Sequence, residues 1–149
     1  MKSWNYEPAK DQELPPVARA RSLKRESGIW STSGHLAWHS LIRCYVTVYH
    51  RLGVEGREHL PSAPPFILIA NHTSHLDSIV LGAVLSCKWC DRVFPVAAGD
   101  VFFEGSVRSL FSAQLINALP MWRKHCGPHA LADLKDRLIT EPCSYILFP

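Results

Sequence analysis

The sequence predicts an α/β fold with a mostly parallel sheet, and three observations indicate it. First, short apolar segments alternate with longer helical segments from Val54 onward, as in units where helices connect parallel strands. Second, the apolar segments are continuous instead of alternating with polar residues, which is typical of strands buried on both faces. Third, the 149 residues are 47% hydrophobic and 19% charged, which suits one domain with a core and excludes overall disorder.

Residues 1–28 are expected to form a flexible polar arm. The segment is interrupted by prolines, and it lacks the continuous apolar core of a secretory signal peptide. Its basic residues could attract anionic lipid, and a simple solvated tail is the alternative. The basic cluster consists of Arg19, Arg21, Lys24 and Arg25.

Residues 29–53 are expected to form an amphipathic helix. Apolar side chains recur there at steps of three and four residues, the spacing of one helix face. The same segment holds aromatic residues of the kinds enriched at membrane interfaces, so we expect the helix either in the interface plane or against the domain core. No apolar stretch is long enough to predict a helix that spans a membrane. In the interfacial arrangement, the residues expected at the lipid headgroups are His35, His39, Arg43, His50 and Arg51.

Residues 54–149 are expected to form the rest of the domain. The Pro64-Pro65 pair precedes the first predicted strand, whose residues are all apolar. Each later helical segment carries an apolar stripe, so it can pack on a sheet. The predicted order is a strand at 66–70, a helix at 74–86, a strand at 92–98, a helix at 106–117, a strand at 119–123, a helix at 129–140 and a strand at 144–148.

The charge and cysteine content exclude several kinds of protein. With 16 Lys and Arg against 13 Asp and Glu, the formal net charge is only +3, which does not indicate a nucleic-acid-binding protein. The five cysteines are an odd number in a chain of ordinary domain size, which argues against a disulfide scaffold. Cys87 and Cys90 form a CxxC pair without a second pair at zinc spacing, so we expect ordinary thiols in a reducing compartment.

The segment NHTSHLD at residues 71–77 is the candidate site. It follows a buried strand and begins a helix, and in open α/β sheets ligands bind at the carboxyl ends of the strands. His72 is expected in the turn and Asp77 in the first helical turn, where their side chains can meet. A carboxylate bonded to one imidazole nitrogen orients the ring and stabilises the charge that forms when the other nitrogen takes a proton. The pair therefore predicts a general base that acts on a hydroxyl.

Two alternatives apply to the same segment. Ser74 and Asp77 have the spacing of a helix capping box, so Asp77 could bond only the backbone at the helix start. His72, His75 and Asp77 also suggest a metal cluster and a metal-dependent hydrolase, but their spacing differs from the H-x-H-x-D-H pattern of such hydrolases. We therefore expect no metal.

Together with other blocks, this segment resembles a known family. Asn71, His72 and Asp77 match the NHxxxxD motif of the glycerolipid acyltransferases, the lysophosphatidic acid acyltransferase family. The resemblance extends over residues 54–149, and the order of the blocks makes it specific. The other blocks are Gly56, Leu60 and Pro61 before the first strand, residues 94–98 in the second, residues 119–123 ending in Arg123, and residues 145–149 at the start of the family's F-P-E-G-T-R motif.

The resemblance implies a role for each matching residue. His72 would deprotonate a hydroxyl of a glycerophosphate or lysophospholipid, Asp77 would orient His72, and Arg123 would bind the phosphate of the acceptor. Asn71 and Ser74 would support this site. The acyl group would come from acyl-CoA or acyl carrier protein, and since a thioester is already activated, no cofactor is expected. The protein implied is a glycerolipid O-acyltransferase of phospholipid biosynthesis, peripheral on the cytoplasmic face of a membrane.

The sequence departs from the family at two places. The Glu-Gly-Thr-Arg of the family's motif is absent after Phe148 and Pro149, so we expect an incomplete acyltransferase domain, and a chain that alone is poorly soluble or weakly active. Gly99 and Asp100 stand where the family often has a basic residue. The alternative to an active acyltransferase is therefore a catalytically silent module of the same fold that binds lipid or a partner.

Overall fold

The computed structural model describes residues 9–74, 76–123 and 128–149. The strands in this part of the chain are β1 (Ile67–Ile69), β2 (Val93–Ala98), β3 (Leu119–Met121) and β4 (Ser144–Leu147). They form one sheet in the order β1-β4-β2-β3, and every pair of neighbours is parallel. The predicted α/β fold with a mostly parallel sheet is therefore confirmed.

Helices connect these strands and precede them. The described helices are α1 (Pro16–Ala20), α2 (Ile29–Val48), α3 (Leu76–Val84), α4 (Gly99–Phe102), α5 (Ser106–Gln114) and α6 (Pro128–Thr140), with 3₁₀ turns at Arg57–His59 and Cys87–Trp89. The helices predicted at 74–86, 106–117 and 129–140 correspond to α3, α5 and α6. The short helices α1 and α4 were not predicted, and α4 follows directly on β2 at the edge where the candidate site lies.

The apolar sequence of β4 reflects its central place in the sheet. It pairs with β1 on one side and with β2 on the other. Successive side chains of a strand point to opposite faces. Tyr145 packs with Leu134 of α6, and Ile146 belongs to a separate cluster against which Leu81 of α3 packs. Full burial of a side chain such as Ile146 contributes about 1.5–3 kcal/mol. The core therefore occupies both faces of the sheet.

The described part of the N-terminal segment, residues 9–28, packs on the domain instead of forming the flexible arm that the sequence predicts. The buried Arg25 donates hydrogen bonds to the carbonyl oxygen of Ala118 at 3.1 Å and to the side-chain oxygen of Asn117 at 2.9 Å. Arg137 of α6 donates to the backbone oxygen of Arg25 at 2.9 Å. Burial lowers the pKa of Arg25 to about 10, so the group stays charged at neutral pH. Acceptors from remote segments hold this segment in place, and residues 1–8 lie outside the described residues.

Helix α2 packs on α3 and α5 with the face that holds its histidines. His35 and His39 are 3% and 9% exposed, so their expected place at lipid headgroups is wrong. Their ring nitrogens reach acceptors on the domain, whereas Arg43, His50 and Arg51 are exposed. Within the described residues, no helix combines the length and hydropathy needed to cross a bilayer. The large apolar side chains of α2 that remain exposed are Ile29, Trp30, Leu36, Leu41, Tyr45 and Val48.

Candidate active site

Asp77 lies in the first turn of α3 and bonds back to the corner that follows β1. Its Oδ2 accepts hydrogen bonds from the backbone N–H groups of Thr73 at 2.7 Å and Ser74 at 2.8 Å. The hydroxyl oxygen of Ser74 accepts one from the backbone N–H of Leu76 at 3.2 Å. These bonds satisfy backbone donors that are otherwise unpaired at the start of a helix. Asp77 therefore caps the helix, in agreement with the capping box that the sequence offered as an alternative.

The same carboxylate also lies beside His72. Nδ1 of His72 is 3.6 Å from Oδ2 of Asp77, an ion-pair distance that is longer than a hydrogen bond. The ring of His72 packs against Phe148, just beyond β4, with the ring centroids 4.7 Å apart. Hydrogen bonds from the backbone N–H groups of Ser74, the largest contribution, and Thr73 hold the pKa of Asp77 below its ordinary value. Asp77 is therefore a fixed negative charge next to one imidazole nitrogen.

A large groove lies at the carboxyl ends of the strands. Its volume is about 770 Å³, within the range of small-molecule binding sites. His72 lines the groove after β1 and Arg123 lines it after β3, so these two predicted site residues share one cavity. The groove therefore joins two basic side chains to a wall that is mainly apolar. The apolar wall includes Val96, Val101, Phe102, Met121 and Leu147.

Arg123 is paired with Asp100 of α4, a contact that the sequence does not predict. The carboxylate oxygens of Asp100 accept hydrogen bonds from Nε of Arg123 at 3.0 Å and from Nη2 at 2.5 Å. These hydrogen bonds raise the pKa of Arg123, whose positive charge is thereby matched by a carboxylate. One signal in the sequence points to this position, namely the departure from the family's basic residue at Gly99 and Asp100.

The remaining predicted residues lie in the corner between β1 and α3. Asn71 is exposed there, and Ser74 contributes its backbone N–H and its hydroxyl to the corner's hydrogen bonds. His75 lies outside the described residues. In the part of the chain that the structure describes, no three His, Cys, Asp or Glu side chains are grouped closely enough to hold a metal ion.

Comparison with known proteins gives a family and several relatives. Residues 51–149 match the family model described as Acyltransferase. The 1-acyl-sn-glycerol-3-phosphate acyltransferase alpha of Mus musculus is 27% identical over 101 residues, and the proteins of the same name from Homo sapiens and Bos taurus are 26% identical over 101 residues. The match covers 66% of this chain and 33% to 34% of each relative, so the chain spans about a third of their length. No solved structure matches the chain.

Proposed function

Because the chain belongs to the acyltransferase family, we propose that it transfers a fatty acyl group from a thioester to the hydroxyl of a glycerophosphate or lysophospholipid. The observation that carries this proposal is the groove that His72 and Arg123 share. They follow β1 and β3, the outer strands of the described sheet, which lie three strand spacings or roughly 14 Å apart. Because both side chains line this one groove, an acceptor held between them could present its hydroxyl to His72 and its phosphate to Arg123.

His72 is the proposed general base. It takes the proton from the acceptor hydroxyl, and the oxygen attacks the carbonyl carbon of the thioester. The carbon–sulfur bond then breaks, and the departing thiolate takes that proton from the imidazolium, so His72 ends the cycle neutral. Asp77, held by two backbone N–H groups, stabilises the imidazolium during this step. The 3.6 Å between Nδ1 and Oδ2 is compatible with this role because such contacts often shorten when substrate binds.

The apolar wall of the groove supports a fatty acyl donor. Side chains from β2, α4 and β3 contribute to it, among them Val96, Phe102 and Met121. Each methylene that moves from water to such a wall contributes about 0.8 kcal/mol to binding. The donor would be acyl-CoA or acyl carrier protein, and since either thioester is already activated, the proposed reaction uses no further cofactor and no covalent enzyme intermediate.

Arg123 is the proposed binding residue for the phosphate of the acceptor. A guanidinium presents planar N–H donors that match phosphate oxygens. The three relatives are named for the acceptor 1-acyl-sn-glycerol-3-phosphate, which agrees with this assignment. A lysophosphatidate-like lipid is therefore the acceptor class that we propose.

The exposed apolar face of α2 is proposed to lie on the cytoplasmic surface of a membrane, where lysolipid acceptors reside. Trp30 and Val48 on this face are 91% and 72% exposed, and α2 contains no acidic residue. Replacing Leu41 and Val48 by serine is expected to weaken sedimentation with phospholipid vesicles. Thr32→Ser, at an exposed polar position of the same helix, is the control. Unchanged sedimentation of the double variant would count against a membrane contact through this face.

Transfer of labelled acyl groups from acyl-CoA to lysophosphatidate tests the proposed reaction. His72→Ala is expected to lower the rate about 10²- to 10⁴-fold, which is the usual contribution of a general base. His59→Ala is the matched control, because the side chain of His59 is 84% exposed and does not line the groove. Its rate is expected to equal that of the wild type.

Two results, one from this assay and one from a binding measurement, would contradict the proposal. Equal rates for His72→Ala and the wild type would exclude His72 as the base. Binding of lysophosphatidate without any transfer would instead favour a catalytically silent lipid-binding module of the same fold.

A further inference from the structure

Asp100 and Arg123 meet because two neighbouring parallel strands end side by side. Ala98 of β2 is level with Met121 of β3 in the sheet register. Asp100 and Arg123 each lie two residues beyond these partners, so both reach the same level past the edge of the sheet. There, the carboxylate accepts from Nε at 3.0 Å and from Nη2 at 2.5 Å.

Gly99 permits this close approach. The indole ring of Trp122 lies so near that a Cβ atom at position 99 would be 2.7 Å from Cδ2 of the ring. Contacts of that length are too short for carbon atoms, so a side chain at position 99 would push Trp122 and the end of β3 away. Asp100 and Arg123 are the next residues along each chain segment, and the contact between Gly99 and Trp122 therefore sets their separation.

The pairing leaves part of the guanidinium for another anion. Arginine has five N–H donors, and Asp100 takes the one on Nε and one on Nη2. Within residues 9–74, 76–123 and 128–149, the two N–H groups of Nη1 have no hydrogen-bond acceptor. The side chain of Arg123 is 65% exposed, so without a partner it would sample several rotamers.

We propose that Asp100 is a positioning residue that holds the guanidinium of Arg123 side-on and leaves Nη1 for the phosphate of the acceptor. This inference rests on the proposed function, in which Arg123 receives that phosphate. A guanidinium that is already ordered loses less freedom when the acceptor binds. Asp100 therefore lowers the KM for the phosphate-bearing acceptor and leaves the chemical step at His72 unchanged.

Steady-state kinetics of acyl transfer test this role. Asp100→Asn is expected to raise the KM for lysophosphatidate about tenfold, with kcat and the KM for acyl-CoA unchanged. Asp100→Glu keeps the charge and is expected to restore most of the affinity. Glu104→Gln replaces a nearby exposed carboxylate and is the control without effect. In an Arg123→Ala background, Asp100→Asn is expected to have no further effect.

Binding of lysophosphatidate to the His72→Ala variant gives a second readout that needs no chemistry. Isothermal titration calorimetry with lysophosphatidate is expected to show saturable binding. Adding Arg123→Ala abolishes this binding, and adding Asp100→Asn weakens it about tenfold. Each comparison is made against the His72→Ala parent.

The outcomes separate this role from the proposed function. Two binding results would overturn the role of Asp100: equal or tighter binding after Asp100→Asn, or no binding that depends on Arg123. Two kinetic results for Asp100→Asn would do the same: a fall in kcat at unchanged KM, or a raised KM for acyl-CoA. The expected binding pattern without acyl transfer by the wild type would leave that role standing and reject the proposed function.

Discussion

Two histidine–aspartate pairs place the same side chains in different surroundings. His72 and Asp77 lie within one strand-to-helix corner, 3.6 Å apart and partly exposed, beside the groove of about 770 Å³. His35 and Asp91 are 56 positions apart in the sequence, and Nδ1 of the buried His35 lies 2.5 Å from Oδ1 of Asp91. His35 also lines a cavity, but its volume of about 60 Å³ is far smaller than that of the groove beside His72.

The neighbours of each pair decide what it can do. Nε2 of His35 lies 3.1 Å from the carbonyl oxygen of Ala113, so both nitrogens of this ring face acceptors inside the protein. Through these two contacts, the ring connects α2 to the end of α5 and to the turn before β2. His72 has Asp77 at one nitrogen and the groove beside its ring. We therefore propose chemistry for the pair at the groove and a stabilising role for the buried pair.

Asparagine in place of each aspartate is expected to separate the two pairs most strongly. Asp77→Asn keeps the size of the side chain and removes the charge beside His72, so acyl transfer is expected to fall about 10²-fold or more. Asp91→Asn is expected to leave the transfer rate per folded molecule unchanged. The measurement is the transfer rate divided by the folded fraction from circular dichroism. A similar loss of rate in both variants would show that the pairs do not differ in this way.

Removal of the buried ring is expected to act on stability. His35→Ala removes the buried ring, its contact with Asp91 and its hydrogen bond to Ala113, so the free energy of unfolding is expected to fall by about 2–4 kcal/mol. Urea denaturation measures this change. The exposed His59 is the control, and His59→Ala is expected to change the free energy by less than about 0.5 kcal/mol. If both variants lost the same stability, the buried pair would not be what holds α2.

The smallest expected effect concerns His39 on the same buried face of α2. Its Nε2–H donates to the carbonyl oxygen of Leu85 at 3.3 Å, and burial lowers its pKa below the ordinary value. The unfolded chain therefore takes up a proton at a higher pH than the folded chain. Stability from this site is complete above about pH 6.5 and is lost as the pH falls through the lowered pKa.

Urea denaturation at about pH 7 and about pH 5 measures this dependence. His39→Gln keeps an N–H donor for Leu85 but cannot take up the proton, so it is expected to lose less stability than the wild type between the two pH values. An equal loss in both proteins would mean that another group causes the pH dependence.

The strands of the sheet follow closely from the sequence. The segments predicted as strands at 66–70, 92–98, 119–123 and 144–148 contain β1, β2, β3 and β4. Runs of apolar residues mark these segments, as expected for strands of a parallel sheet. The expected burial on both faces is wrong for β1, whose Ile67 and Ile69 are 49% and 68% exposed. The order of the strands is not visible in that way, because the apolar segments do not specify that β4 lies between β1 and β2.

The N-terminal part shows where such patterns fail. The polar residues of 1–28 indicate a solvated arm, yet Arg25 is buried. The histidines of α2 indicate a side that faces lipid headgroups, yet His35 and His39 are buried. A polar side chain can be buried when its hydrogen-bonding partners are present at the site. Those partners belong to segments far along the chain, so residue types at 9–48 do not reveal them.

By itself, the sequence determined the strands and the encounter of His72 with Asp77. That encounter depends only on the short backbone path through one strand-to-helix corner, which the NHxxxxD spacing describes. Only the tertiary structure decided that Asp100 holds Arg123 and that Asp91 holds His35. These contacts join remote segments, and they depend on strand order, register and helix packing, which local residue patterns do not specify.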